Sequence, residues 1–271
     1  MTTLTGIPRT LLFTLRARAE EHTLAGRLFA DPVAVTWYAD IELDADTKAA
    51  MQAAYSPVFQ LGTAVRTTLY DNITTNFLKN HPDGLVIELG AGLTTRMYRL
   101  EHLGGRWAAL DLAPAFEFRQ QFEKEMIDEI SLSCISASML DSNWPTQLAT
   151  TPSENILIIA EAVLFFLAPH EIKRLFTLLN AHFPGAVFAF DVLTQQFSPQ
   201  ARARFLAADA PMQWLLQDEQ ALASFDLIIQ EQWVVTHVFL ERWQALGFKP
   251  QQLLAAKGNI IFNTRLNALL N

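Results

Sequence analysis

Leu85-Val86-Ile87-Glu88-Leu89-Gly90-Ala91-Gly92-Leu93-Thr94-Thr95-Arg96 is the stretch whose reading decides the fold. An apolar, β-rich run meets an acidic residue, turns on two glycines and continues into residues able to open a helix. Strand, glycine turn and helix N-terminus in that order let backbone approach a ligand closely, and a mononucleotide-like cofactor is the usual guest. The turn alone does not choose that cofactor.

Upstream of this stretch the patterns are helical. Residues 8–30 set Leu11, Leu12, Leu15, Ala19, Leu28 and Phe29 against Arg16, Arg18, Glu20 and Glu21 on a polar side. Asp31 and Pro32 restart a helix as N-cap and first-turn proline. Two more helices are expected over about 46–60 and 63–79, before the break Asn80-His81-Pro82-Asp83-Gly84. Residues 1–82 thus read as a helical cap.

Downstream, strands and helices alternate. Strands are expected at 85–89, at 107–110 closing on Asp111, at 132–135 before Ser138-Met139-Leu140-Asp141, at 155–160 with Glu161 at its end, and at 186–190 closing on Asp191. One intervening helix carries Phe116, Phe118, Phe122 and Met126, and Pro169 introduces another over 171–181. Strands this apolar imply a parallel sheet covered on both faces, a cofactor-binding core over 83–191. Residues 192–235 hold Pro199, Pro211, Phe197, Phe205, Trp214, Phe225 and Trp233 with no single period. They read as a helical insertion that either lines a pocket or adds a packing layer. A helix over about 236–246 stops at Gly247, and strands over 249–255 and 260–266 then form a hairpin through Lys257-Gly258-Asn259. The whole is one domain.

The composition is globular: 271 residues, 51% hydrophobic and 18% charged. A net charge of −8 weighs against nucleic-acid binding. Cys134 is the single cysteine and no Cys/His cluster has zinc-like spacing, so a reduced, metal-free, cytoplasmic protein is expected. The N-terminus lacks signal-peptide character, and the richest apolar run, Ile156 to Ala168, is interrupted by Glu161, so no membrane association is expected.

Several blocks resemble the S-adenosylmethionine-dependent O-methyltransferases of the leucine carboxyl methyltransferase and tetracenomycin polyketide O-methyltransferase family. They are Arg16-Ala17-Arg18-Ala19-Glu20 with Asp31-Pro32-Val33-Ala34; Arg66 with Asp71; Glu88 through Leu100; Trp107 through Leu112; and Ala160-Glu161-Ala162-Val163-Leu164-Phe165-Phe166-Leu167. The resemblance implies the class I methyltransferase fold: a Rossmann-like, seven-stranded α/β sheet with a closing antiparallel hairpin, here with the helical cap and the insertion after strand five. The chain departs from the family pattern at Thr94, where Asp is usual, at Ser138, where Asp often ends strand three, and at Ala162, where Gly follows the glutamate.

The resemblance also names the cofactor, S-adenosylmethionine, and candidate residues for it. Asp111 can accept both hydroxyls of the ribose. Gly90 and Gly92 let backbone pass close to the methionine portion. Glu88 either holds the turn through backbone N–H groups or meets the cofactor. Arg66, and with it Arg18, suit the tail carboxylate, since a guanidinium binds a carboxylate through two bonds. Arg96 is either a further contact or a structural ion-pair partner. Ser138, Met139 and Leu140 would flank the adenine, and Glu161 would sit near the amine or the transferred methyl group.

Methyl transfer is an in-line displacement that proximity and orientation can largely drive. A carboxylate acceptor needs no general base, a phenol is helped by one, and the scattered His22, His81, His102, His170, His182 and His237 nominate none. This tilts the acceptor toward a carboxylate. The expected partner is a small molecule, a carboxylate or a polyketide-like phenol. A nicotinamide oxidoreductase is opposed by Thr95 where a third glycine would stand. A catalytically inactive cofactor-binding protein and a protein carboxyl-terminal methyltransferase are the alternatives.

Overall fold

The computed structural model describes residues 9–123, 132–148 and 151–267. Four helices come first: α1 Thr10–Thr23, α2 Pro32–Asp40, α3 Ala45–Ala54 and α4 Pro57–Asn80. Local chemistry starts three of them. Asp31, Asp44 and Ser56 each accept a hydrogen bond from the backbone N–H three residues on, and prolines occupy the first positions of α2 and α4. Two expectations change here. The first helix stops at Thr23 rather than running to residue 30. The Ser56-Pro57 start also splits the stretch read as one helix to residue 60, so α4 begins at 57 rather than 63.

The α/β core follows: β1 Leu85–Leu89, α5 Arg96–Leu100, β2 Arg106–Asp111, α6 Ala113–Glu123, β3 Leu132–Ser136, β4 Ile156–Ala160, α7 Pro169–His182 and β5 Val187–Leu193. Met126, expected in the helix of Phe116, lies outside the described residues. After β5 come α8 Pro199–Ala207, β6 Leu227–Val234, α9 Leu240–Ala245, α10 Pro250–Ala255 and β7 Asn259–Leu266. One seven-stranded sheet runs β3-β2-β1-β4-β5-β7-β6, with β7 antiparallel to both neighbours and the rest of the core parallel. This is the seven-stranded sheet expected from the sequence, with its closing antiparallel pair.

The arms of that pair differ from the expected ones. Residues 250–255 form a helix, because Pro250 supplies a helix first position and Gln252 caps the backbone N–H of Lys249. The first arm is instead β6, inside the stretch read as helical insertion. It is an edge strand exposed along most of its length, so Gln230, Glu231 and Gln232 interrupt any apolar alternation. The expected helix over 236–246 shortens to α9, because Phe239 is left-handed at φ 54°.

Alternation along the strands sends side chains to two cores. Leu85, Ile87, Leu89, Ile158, Phe188 and Phe190 meet α7 through Ile172, Leu175, Phe176 and Leu179. Val86, Leu157, Ile159 and Ala189 meet α4, whose Leu61, Val65, Leu69, Ile73 and Phe77 recur every four residues. Glu88 and Asp191 lie on the α4 face, where Tyr70 of α4 donates to Asp191 at 3.2 Å and Arg96 of α5 reaches Glu88.

Candidate functional site

The carboxyl ends of β1, β2 and β4 open into a cavity of about 480 Å³. Crevices at such strand ends are where open α/β sheets bind ligands, and this volume suits a small-molecule site. Arg18, Arg66, Glu88, Gly90, Asp111, Ser138, Met139 and Glu161 all line it.

The glycine turn is fixed from both sides. Gly90 has φ 63°, and a Cβ there would meet Val163 Cγ2 at 2.8 Å, so only glycine leaves this wall open. The Gly92 N–H donates to Asp111 Oδ2 at 2.6 Å, and Leu112 N–H donates to Asp111 Oδ1 at 2.7 Å. Asp111 thereby ties the turn after β1 to the end of β2. Burial raises its pKa against the pull of those two N–H groups.

Glu161 leaves β4 into a pair of guanidinium groups. Its Oε1 accepts from Arg66 Nε at 3.0 Å and its Oε2 from Arg96 Nη2 at 2.5 Å. Burial alone would raise its pKa, but Arg96 and Arg66 outweigh burial and hold the carboxyl at about 2. Arg96 also bonds Glu88 and, at 2.9 Å, Asp71. Arg99 continues the chain to Asp71 and Asp31, each at 2.8 Å. One buried network thus joins α1, the start of α2, α4, α5 and the ends of β1 and β4.

This network bears on two alternatives that the sequence left open. Glu88 does not hold the turn through backbone N–H groups; it bonds Arg96. Arg96 itself is the structural ion-pair hub. Asp71, which accompanies Arg66 in the sequence pattern, accepts from Arg96 and Arg99.

Arg18 differs from its neighbours. Its Nη2 donates to Leu93 O at 2.5 Å, but its Nε lies 3.4 Å from Asp31, whose oxygens already serve Arg99, Thr95 and Ala34. That buried Nε has no hydrogen-bond partner. Burial lowers the Arg18 pKa to about 10, only partly offset by Asp31. Glu88 Oε2 is likewise buried without a partner. Such orphaned polar atoms in a cavity wall are what a polar ligand would satisfy.

Two nominated residues stand back from the cavity. Leu140 packs into the α7-side core, while Ser138 Oγ accepts from its N–H at 3.2 Å. Gly92 lies behind the wall, where a Cβ would meet Leu11 Cδ2 at 2.4 Å.

Other lining residues were not among those nominated for the cofactor. Leu112, 52% exposed, follows Asp111 at the cavity edge. Thr10, Thr14 and Arg18 face the cavity at four-residue spacing on α1, a stripe visible in hindsight. Phe59, Phe165, Phe166 and Phe205 form an aromatic wall, with Phe59 and Phe205 ring centres 6.0 Å apart. Asp209 completes the lining. Among the aromatic residues of 192–235 only Phe205 lines the cavity; Trp214 and Phe225 pack on the α7-side core and Trp233 on the α4-side core. Among the described residues no group of three or more His, Cys, Asp or Glu could hold a metal ion, and no helix is long and apolar enough to cross a membrane.

A model of the leucine carboxyl methyltransferase family matches residues 11–180. The chain is 26% identical to the tetracenomycin polyketide synthesis O-methyltransferase TcmP of Streptomyces glaucescens, over 91% of this chain and 92% of that protein. Among solved structures, a DUF574 family protein from Streptomyces avermitilis aligns with TM-score 0.60 at 13% identity, covering 93% of this chain and 97% of that one. Magnesium protoporphyrin IX methyltransferase from Synechocystis PCC 6803, solved with bound S-adenosylmethionine, aligns with TM-score 0.50 at 11% identity, covering 94% and 97%. At such identities these structures speak to the fold.

Proposed function

The chain belongs to the leucine carboxyl methyltransferase family and is an S-adenosylmethionine-dependent O-methyltransferase; on that premise we propose that its acceptor is a small, polyketide-like molecule presenting a carboxylate or a phenolic hydroxyl. One observation carries this reading: a single cavity joins the Gly90–Asp111 end to a wall of four phenylalanines, offering a polar end and an apolar end. TcmP supports the substrate size class, since it acts in polyketide synthesis.

In our reading Asp111 accepts the ribose hydroxyls with the lone pairs that Gly92 and Leu112 leave free. Arg18, with its orphaned Nε, takes the tail carboxylate together with Arg66. Glu161 holds Arg66 in place and keeps a negative charge beside the amine. Ser138, Met139 and Leu112 enclose the adenine, and Leu140 and Gly92 support them from behind. When bound, S-adenosylmethionine supplies a methyl group already activated by its sulfonium, so the residues here need only bind, orient and exclude water. The free thiol of Cys134 and the charge of −8 favour a cytoplasmic protein without nucleic-acid partners.

Calorimetric titration with S-adenosylmethionine, S-adenosylhomocysteine and NAD tests the cofactor. Both sulfur compounds should bind and NAD should not. Methyl incorporation across a panel of carboxylates and phenols then tests the acceptor; binding with no incorporation anywhere in the panel would favour an inactive cofactor-binding protein.

A further inference from the structure

Resting on the reading of Asp111 as the acceptor of the ribose hydroxyls, we propose that Arg119 is a positioning residue for it. Arg119 holds the Gly92 carbonyl, which keeps the Gly92 N–H on Asp111 and so sets how the carboxylate meets the ribose.

Gly92 is gripped at both of its polar backbone atoms by one strand–helix unit. Its N–H donates to Asp111 Oδ2 at 2.6 Å, at the end of β2, and its carbonyl accepts from Arg119 Nη1 at 3.2 Å, on α6. Gly92 is left-handed, at φ 50°, and has no side chain to anchor it, so the two peptide planes around it are soft unless something fixes them. The bond to the N–H fixes the plane before Gly92, and the bond to the carbonyl fixes the plane after it. The next carbonyl, that of Leu93, accepts from Arg18 Nη2 at 2.5 Å. The turn is thus held by two guanidinium groups, of which Arg18 lines the cavity and Arg119 does not.

Arg119 is itself held on every side. It is 0% exposed. Its Nε donates to Glu123 Oε1 at 2.6 Å, its Nη2 lies 3.2 Å from Met97 Sδ, and its guanidinium carbon is 5.6 Å from the Trp37 ring centre. Tyr98 donates to the same Glu123 oxygen at 2.7 Å. Stability does not account for a charge in this place, since apolar side chains can replace a buried ion pair at little or no cost. What an apolar pair cannot do is donate to the Gly92 carbonyl. Burial raises the Asp111 pKa, and the Arg119 charge acts with the Gly92 and Leu112 N–H groups against it, favouring the anion that accepts hydroxyls.

The test is calorimetric titration with S-adenosylhomocysteine and its 2′-deoxyribose analogue, which differ by one hydroxyl. The wild-type protein should prefer the ribose at least about tenfold, the worth of one hydrogen bond to a charged group. Arg119→Met combined with Glu123→Gln removes the guanidinium without stranding a buried charge, and should narrow the preference to about threefold or less. Arg119→Lys keeps the charge beside Glu123 but gives up the fork that reaches Gly92 as well, and should narrow it too. Glu123→Gln alone keeps an oxygen for the Arg119 Nε, and should leave the preference within about twofold of wild type even where Tm falls. A preference unmoved by loss of the guanidinium, or reduced as much by Glu123→Gln alone, would overturn the proposal by showing that Arg119 only supports the fold. A wild-type protein that binds both compounds equally would instead overturn the reading of Asp111 beneath it, and failure of S-adenosylhomocysteine to bind would overturn the cofactor reading.

Discussion

Arg66 and Glu161, 95 residues apart in sequence, meet Nε to Oε1 at 3.0 Å in the cavity wall. With Arg96 on its other oxygen, Glu161 carries a carboxyl pKa of about 2 against an ordinary 4.5. A depressed carboxylate contributes stability that is complete above the unfolded value and lost as pH falls through the folded one. The contribution is about 2–3 kcal/mol, and with the side chain 19% exposed solvent screens it little. Glu161→Gln should therefore lower Tm at neutral pH by several degrees. The gap to wild type should close between pH 4.5 and about 2; a gap independent of pH in thermal melts would refute this.

Asp111→Ala should abolish measurable cofactor binding while the chain stays folded. The carboxylate is the one group that ties Gly92 and Leu112 together and still faces the cavity. Loss of a charge-assisted pair of bonds costs about 2–4 kcal/mol, some 30- to 1000-fold in Kd. Calorimetry with circular dichroism on the same sample checks both halves; unchanged affinity would mean that the ribose lies elsewhere.

Arg18→Met should weaken S-adenosylmethionine at least about tenfold and leave 5′-methylthioadenosine, which lacks the amino acid tail, within about twofold. The under-neutralised Arg18 motivates this split. Equal loss for both ligands would show that Arg18 acts by supporting the fold.

How far these features were legible differs by residue. The turn at Gly90, Asp111 and Glu161 could be read because each lies at a strand end whose apolar run is itself unmistakable. Asp31 was legible as an N-cap because the Asp-Pro pair is local chemistry. Phe59, Leu11 and Asp209 were not, since each sits on a different helix or its exit and only tertiary packing brings them to one cavity. Arg66, nominated from the resemblance, does line the cavity, but its pairing with Glu161 was not legible. Strand β6 escaped because an exposed edge strand leaves no alternation to find, and α10 because Pro250 starts a helix as readily as it breaks a strand.

Ala162→Gly should stabilise the protein. Ala162 holds φ 57° where its N–H donates to Asp191 Oδ1 at 2.6 Å, so the turn after β4 is left-handed by construction. An alanine there is strained by about 1–2 kcal/mol, while glycine adds back about 0.5–1 kcal/mol of unfolded-state entropy. The net is a gain of up to about 1 kcal/mol, a rise of roughly 2–4 °C in Tm. A lowered Tm would show that Ala162 contributes packing that outweighs the strain.

Gly92→Ala should do the opposite, for two separable reasons. Gly92 has φ 50°, and an added Cβ would lie 2.4 Å from Leu11 Cδ2. The backbone term is fixed at about 1–2 kcal/mol, whereas the clash falls on the end of a flexible side chain that can be removed. Leu11→Ala alone opens a gap in the α1 packing; combined with Gly92→Ala it removes the clash. The double variant should therefore be more stable than the sum of the two singles by roughly 1 kcal/mol, read as a coupling energy from denaturant melts. Strict additivity would mean that α1 moves away from the turn at no cost. The contact would then not fix the distance between Leu11 and the Gly92 N–H that holds Asp111.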